Sequence, residues 1–121
     1  MRKTTILMLL ALSFSGTSLA ETTMVGNWRC TVVAEFGEFE SILVLNDDSS
    51  YVKKQNLFGE ISVGAGTWAV EGANLVMHRE KYTKNGEEKA SSQEFRRTIV
   101  SVSDTAMKLT HDSIETTCKR L

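Results

Sequence analysis

In "NWRCTVVAEF", residues 27–36, apolar and polar positions alternate, so Trp28, Cys30 and Val32 share one face while Arg29 and Thr31 share the other. A repeat of two is the signature of a pleated strand, whose successive side chains point to opposite sides. The pattern recurs in "EFESILVLN", where Phe39, Leu43 and Leu45 lie in phase, and again in "EISVGAGTWAV", "NLVMHREKYT", "SQEFRRTIVSV", "AMKLTH" and "SIETTCKRL". "YVKKQNLF" is the most polar of these runs and is also read as a strand. The runs are separated by turn-forming residues: Gly37, the cluster Asn46–Ser50, Glu71-Gly72, Asn85-Gly86, Ser103-Asp104 and Asp112. Asn85-Gly86 is the strongest two-residue hairpin signal. Gly64 and Gly66, inside one run, predict a bulge or sharp bend.

About eight short strands at this spacing, with no helical periodicity and no proline or low-complexity linker, predict a single all-β domain. Two architectures fit, an up-and-down antiparallel barrel and a β-sandwich. Cys30 lies early in the first run and Cys118 late in the last. In an eight-stranded up-and-down sheet those runs are antiparallel, so closing the sheet places the two cysteines opposite each other. A disulfide there would fasten the seam of a barrel and leave it without exposed edges.

The first twenty residues change the compartment rather than the fold. Arg2 and Lys3 precede the apolar run Ile6–Phe14, and Ser18-Leu19-Ala20 ends in small residues suited to a signal peptidase. Residues 1–20 are therefore expected to be a cleaved signal peptide and 21–121 the mature domain, periplasmic or secreted. No cysteine follows the cut to carry a lipid. In an oxidising compartment the two cysteines are expected to pair with each other. Neither a C-x-x-C pair nor a metal-ligand spacing competes, so no metal or cofactor is expected.

Charge excludes one class of partner. The formal charge of −1 becomes −3 once Arg2 and Lys3 are removed, so nothing draws the chain as a whole to nucleic acid.

Gly26-Asn27-Trp28 at the head of the first strand resembles the opening Gly-x-Trp of lipocalins and other calycins. "GTWAVEGANLVM" is similar to a Gly-x-Trp strand, tight turn and apolar strand of small bacterial lipocalin-like domains, and "LNDDSSYVKK" resembles the acidic turn and aromatic before it. The resemblance implies an antiparallel barrel that binds a ligand or partner without catalysis. It transfers no binding residues. With strands this short, the interior of an eight-stranded barrel is expected to be nearly filled by its own side chains. Trp28 and Trp68 are then core plugs at the barrel ends, or else ligand contacts.

Catalytic vocabulary is thin. His78 and His111 lie far apart, and no Gly-x-Ser-x-Gly elbow occurs. Glu38 and Glu40 alternate on one strand face, a spacing that glycoside hydrolysis can use, yet a solvent-facing pair has nothing to raise either pKa. The chain is expected not to be an enzyme. Glu35, Glu38, Glu40, Asp47 and Asp48 concentrate acid in the first part of the domain and are the expected partner-binding residues. The leading expectation is an exported protein that binds and neutralises another protein, such as a cell-wall hydrolase or toxin, in the manner of an inhibitor or immunity protein. The alternative is a lipocalin-like carrier or sensor of a small apolar ligand.

Overall fold

In the computed structural model, which describes residues 19–35 and 37–121, the alternating runs become strands joined by tight turns. A six-residue helix, α1 (Leu19–Met24), precedes β1 (Gly26–Ala34), β2 (Gly37–Leu45), β3 (Ser50–Leu57), β4 (Glu60–Glu71) and β5 (Asn74–Lys84). β6 (Glu87–Lys89), β7 (Gln93–Val102), β8 (Ala106–His111) and β9 (Ile114–Arg120) follow. The expected signal peptide lies outside the described residues, apart from Leu19 and Ala20, which open α1. No helix among the described residues is long and apolar enough to cross a membrane.

All pairings are antiparallel, in the order β4-β3-β2-β1-β9-β8-β7-β5-β6, and β4 also pairs with β5. That last pairing closes eight strands into a barrel, with β6 a three-residue stub beside β5. The barrel expectation is met and the sandwich alternative is not, because closure leaves no second sheet to pack against.

Turn chemistry explains why neighbours pair in sequence. Phe58 and Gly59, Asn85 and Gly86, and Asp112 and Ser113 each place two consecutive residues at positive φ, from 49° to 83°. This is the left-handed pair that a two-residue hairpin uses to match strand twist. Asn85-Gly86 forms the expected hairpin, but it joins β5 to the stub β6; β7 then pairs with the first half of β5. The bulge expected from the glycines falls between Ala65 and Gly66, where β4 slips against β5. A Cβ on Gly66 would run into the carbonyl oxygen of His78, so the backbone approach there admits no side chain.

One end of the barrel is sealed. Met24 of α1, Trp28, Leu45, Trp68, Leu75 and Met107 are all buried there. The Trp28 Nε1–H donates to the Met24 carbonyl at 2.8 Å and the Trp68 Nε1–H to the Asn46 carbonyl at 2.9 Å, so both indoles enter the core with their polar atom satisfied. The Val70 amide donates to the Glu21 carboxylate at 3.0 Å, tying α1 to β4. Arg120 closes the same end: its guanidinium lies 4.2 Å from the Trp28 ring centre and donates to the carbonyls of Thr23, Val25 and Asp104. Gly26 makes room, since a Cβ there would meet the Arg120 Nη1. At the seam, Cys30 stands opposite Cys118 in the β1–β9 register, and the two are joined as the expected disulfide.

Candidate functional site

Strand phase decides what faces the lumen, and on three strands it sends a cation inward. Buried Tyr51 fixes the phase of β3, so Lys53 and Gln55 follow it into the barrel. On β5, Leu75 and Met77 are buried and Arg79 is the next residue in phase. On β7, Arg97 pairs with Leu75 and Phe95 with Met77, which aligns Arg97 with the same interior.

These side chains surround two cavities, of about 210 and about 140 Å³, that share Lys53, Met77 and Arg97 as walls. The larger is lined by Leu43 and Leu109 below and by Val32, His111 and Ile114 toward the open end. The smaller lies among Tyr51, Gln55, Arg79 and Tyr82. The expectation of an interior filled by its own apolar side chains therefore holds for the sealed half only. In the open half, Lys53, Arg79 and Arg97 stand where apolar residues would have met across the lumen.

The electrostatics of this half are unbalanced. Among the described residues, Lys53 makes no hydrogen bond or ion pair; the ion pairs, such as Lys84–Glu60 and Arg96–Glu71, lie on the exposed surface. Removal from water, followed by repulsion from Arg97 and Arg79, holds the Lys53 ammonium below its usual range. Burial likewise lowers the pKa of Arg97, against a smaller opposing pull from Asp112. Its Nη1 donates to the Arg96 carbonyl at 2.9 Å. Arg79 donates to Ser91 Oγ at 2.7 Å and to Gln93 Oε1 at 3.1 Å, and its guanidinium lies 4.1 Å from the Tyr82 ring centre. Burial raises the Tyr51 pKa, with Arg79 opposing and Glu80 adding, so its hydroxyl keeps its proton and remains a donor. The buried hydroxyls of Tyr51 and Ser41 have no hydrogen-bond partner among the described residues.

A base whose folded pKa is depressed costs stability while protonated, and the cost disappears as pH rises from the folded pKa toward the unfolded value near 10.5. Lys53→Met is expected to raise the unfolding free energy at neutral pH by about 1 to 2 kcal/mol, by removing a desolvated charge and keeping the packing of its stem. The gap between variant and wild type should close as pH approaches 10.5, as read by denaturant titration at several pH values. Of the groups facing Lys53, Tyr51 has its own titration moved upward by burial, above the usual tyrosine range. A pH-independent gap would refute the assignment.

The acidic residues singled out in the sequence occupy two places. Glu38 and Glu40 point outward from β2, opposite Val33 and Thr31, and Glu35 sits in the preceding turn at the open end. Asp47 and Asp48 lie in the β2–β3 turn beside the sealed end, roughly 30 Å away along β2. Asp48 accepts from the Ser50 hydroxyl at 2.6 Å and the Ser50 amide at 2.9 Å, which lowers its pKa and shapes the turn. The first three are thus gathered at one end and the last two at the other. His78 is exposed on β5, and His111 stands at the cavity mouth 3.2 Å from Asp112. Among the described residues no three His, Cys, Asp or Glu side chains gather at metal-binding spacing.

Lys53, Arg79, Arg97 and Tyr51 were not among the residues singled out. Phase is the partial signal they carry, each cation lying two residues from an inward-facing aromatic or aliphatic residue on its strand, but it needs closure of the sheet to say that they are enclosed.

No model of a known protein family matches the chain, and no curated protein matches it by sequence. Among solved structures, the chain is similar to a lipocalin-like protein from Bacteroides uniformis, with a TM-score of 0.59 at 10% identity, over 82% of this chain and 99% of that one. The fold is that of a lipocalin-like barrel.

Proposed function

We propose that this chain is an exported, non-enzymatic binding protein that holds a small ligand in the open half of its barrel. The observation that carries the reading is the cavity itself: it is walled by apolar side chains and by polar groups, of which Lys53, Tyr51 and Ser41 have no partner among the described residues, above a sealed floor. Convergent polar groups in a largely apolar concavity are the usual form of a small-molecule site. The cavity is small. At about 30 Å³ for each water-sized occupant, the two spaces hold about a dozen non-hydrogen atoms, which favours a compact ligand over a long lipid. Export is supported by the leader-like residues 1–20 and by the disulfide, which persists in oxidising compartments.

A protein partner, of the inhibitor or immunity type, is the second reading. What favours it is the open rim, where Phe58 is 82% exposed and packs edge-to-face on Phe39, with Glu35, Glu38 and Glu40 on the adjoining hairpin. Native mass spectrometry of the protein taken from the secreted or envelope fraction of its own cells separates the two. Added mass of one small molecule per chain supports the carrier reading. A bare chain in complex with a second protein would replace it with the inhibitor reading.

A further inference from the structure

Among the described residues the lumen holds three cations, and no carboxylate lines either of its cavities. Lys53 and Arg97 belong to both cavities and Arg79 to the smaller one. The nearest acids act from the periphery: Asp112 toward Arg97, and Glu80 toward Tyr51. Charges withdrawn from water are retained in folded proteins when something compensates them, and here, among the described residues, no carboxylate stands inside the lumen to do so. Arg79 is engaged by Ser91 and Gln93 and stacked on Tyr82, and Arg97 has spent one nitrogen on the Arg96 carbonyl. Among the described residues the Lys53 ammonium and the Tyr51 and Ser41 hydroxyls are left without partners, and Lys53 and Tyr51 lie two residues apart on one face of β3.

Space is reserved at the same point. Lys53 pairs across the strands with Gly64, and a Cβ on that glycine would press on the Arg79 side chain at 3.0 Å. The absent side chain lets Arg79 extend beside Lys53. Apolar surface lies next to the cations in Leu43, Met77 and Leu109.

We infer that the cavity takes a compact organic anion, a carboxylate with an apolar body, whose head is held by Lys53 and Tyr51 in the field of Arg97 and Arg79. A carboxylate suits this donor set, since two oxygens meet the free ammonium and hydroxyl and the partly engaged arginines supply charge. The apolar body then covers Met77 and Leu109. The inference rests on the interior-ligand reading above and names its chemistry.

Calorimetric titration of the full chain with phenylpropionate, its neutral amide and inorganic phosphate tests it. The carboxylate is expected to bind at least tenfold more tightly than the amide. Lys53→Met and Arg97→Met should each erase that preference, and Lys54→Met, on the outward face of the same strand, should leave it intact. Acid and amide binding equally, with no effect of Lys53→Met, would overturn the anion assignment and leave the interior site standing. Phosphate binding as tightly as phenylpropionate would overturn the need for an apolar body. Failure of all three probes, with the protein folded, would remove the interior-ligand reading as well.

Discussion

Replacing Cys30 and Cys118 together by alanine is expected to lower the unfolding free energy by about 4 to 5 kcal/mol and the melting temperature by tens of degrees. The bond joins residues 88 apart, nearly the whole domain, so its loss frees the unfolded chain far more than the folded one. In the chain-entropy argument the gain grows with the logarithm of loop length, which places this bond near the upper end of what a single cross-link supplies. In the folded state little else changes, because β1 and β9 remain paired from Val32↔Thr116 to Trp28↔Arg120. For a domain of this size the expected loss is a large part of the usual net stability. Denaturant titration of the double variant, with wild type under oxidising and reducing conditions, checks the value. A loss below about 1 kcal/mol would show that strand pairing alone closes the barrel and that the cross-link does not constrain the unfolded chain as argued.

Arg120→Ala is expected to cost about 3 to 5 kcal/mol, the second largest effect. The side chain satisfies three carbonyls, of Thr23, Val25 and Asp104, and covers the Trp28 ring. Truncation leaves the part-buried Thr23 and Val25 carbonyls without that donor, at about 1 kcal/mol or more each, frees the exposed Asp104 carbonyl to water, and removes both the cation–π contact and the packing of the stem on Trp28. Arg120→Lys should recover less than half of the loss, because a single ammonium cannot spread over three acceptors as the guanidinium does. Trp28 fluorescence gives a local readout, since the variant should admit water to an indole that is fully buried in the wild type. An alanine variant within 1 kcal/mol of wild type would mean that α1 and Trp28 hold the sealed end unaided. The position cannot be recognised by composition, because the last strand offers Lys119 and Arg120 side by side. Only phase distinguishes them: Arg120 shares the inward face of Cys118.

Most of the architecture was legible along the chain. Alternation identified the strands, Asn85-Gly86 and the acidic cluster at Asn46–Ser50 marked turns, and Gly66 marked the bulge. The two cysteines implied the seam between the first and last strands, where the bond stands. These features are local, or depend only on the order of strands, so sequence suffices for them. The stub β6 and the helix α1 were not legible. β6 exists because β7 pairs with only part of β5, and α1 because Met24 has a buried place to fill at the sealed end.

The candidate site was hidden for a physical reason. A lysine or arginine in an amphipathic strand is read as solvent-facing, and in most strands it is. Lys53, Arg79 and Arg97 break that rule only because closure of the sheet turns their faces inward, and phase alone does not reveal which polar residues the curvature will enclose. The five acidic residues show the converse. Close in sequence, they are separated by the length of β2, because a strand carries its ends apart while a turn keeps neighbours together. Sequence by itself determined the strands, their antiparallel order and the bond that fastens the first to the last. The tertiary structure decided that the interior is plugged at one end and cationic at the other, because burial of charge depends on which faces meet across a closed barrel.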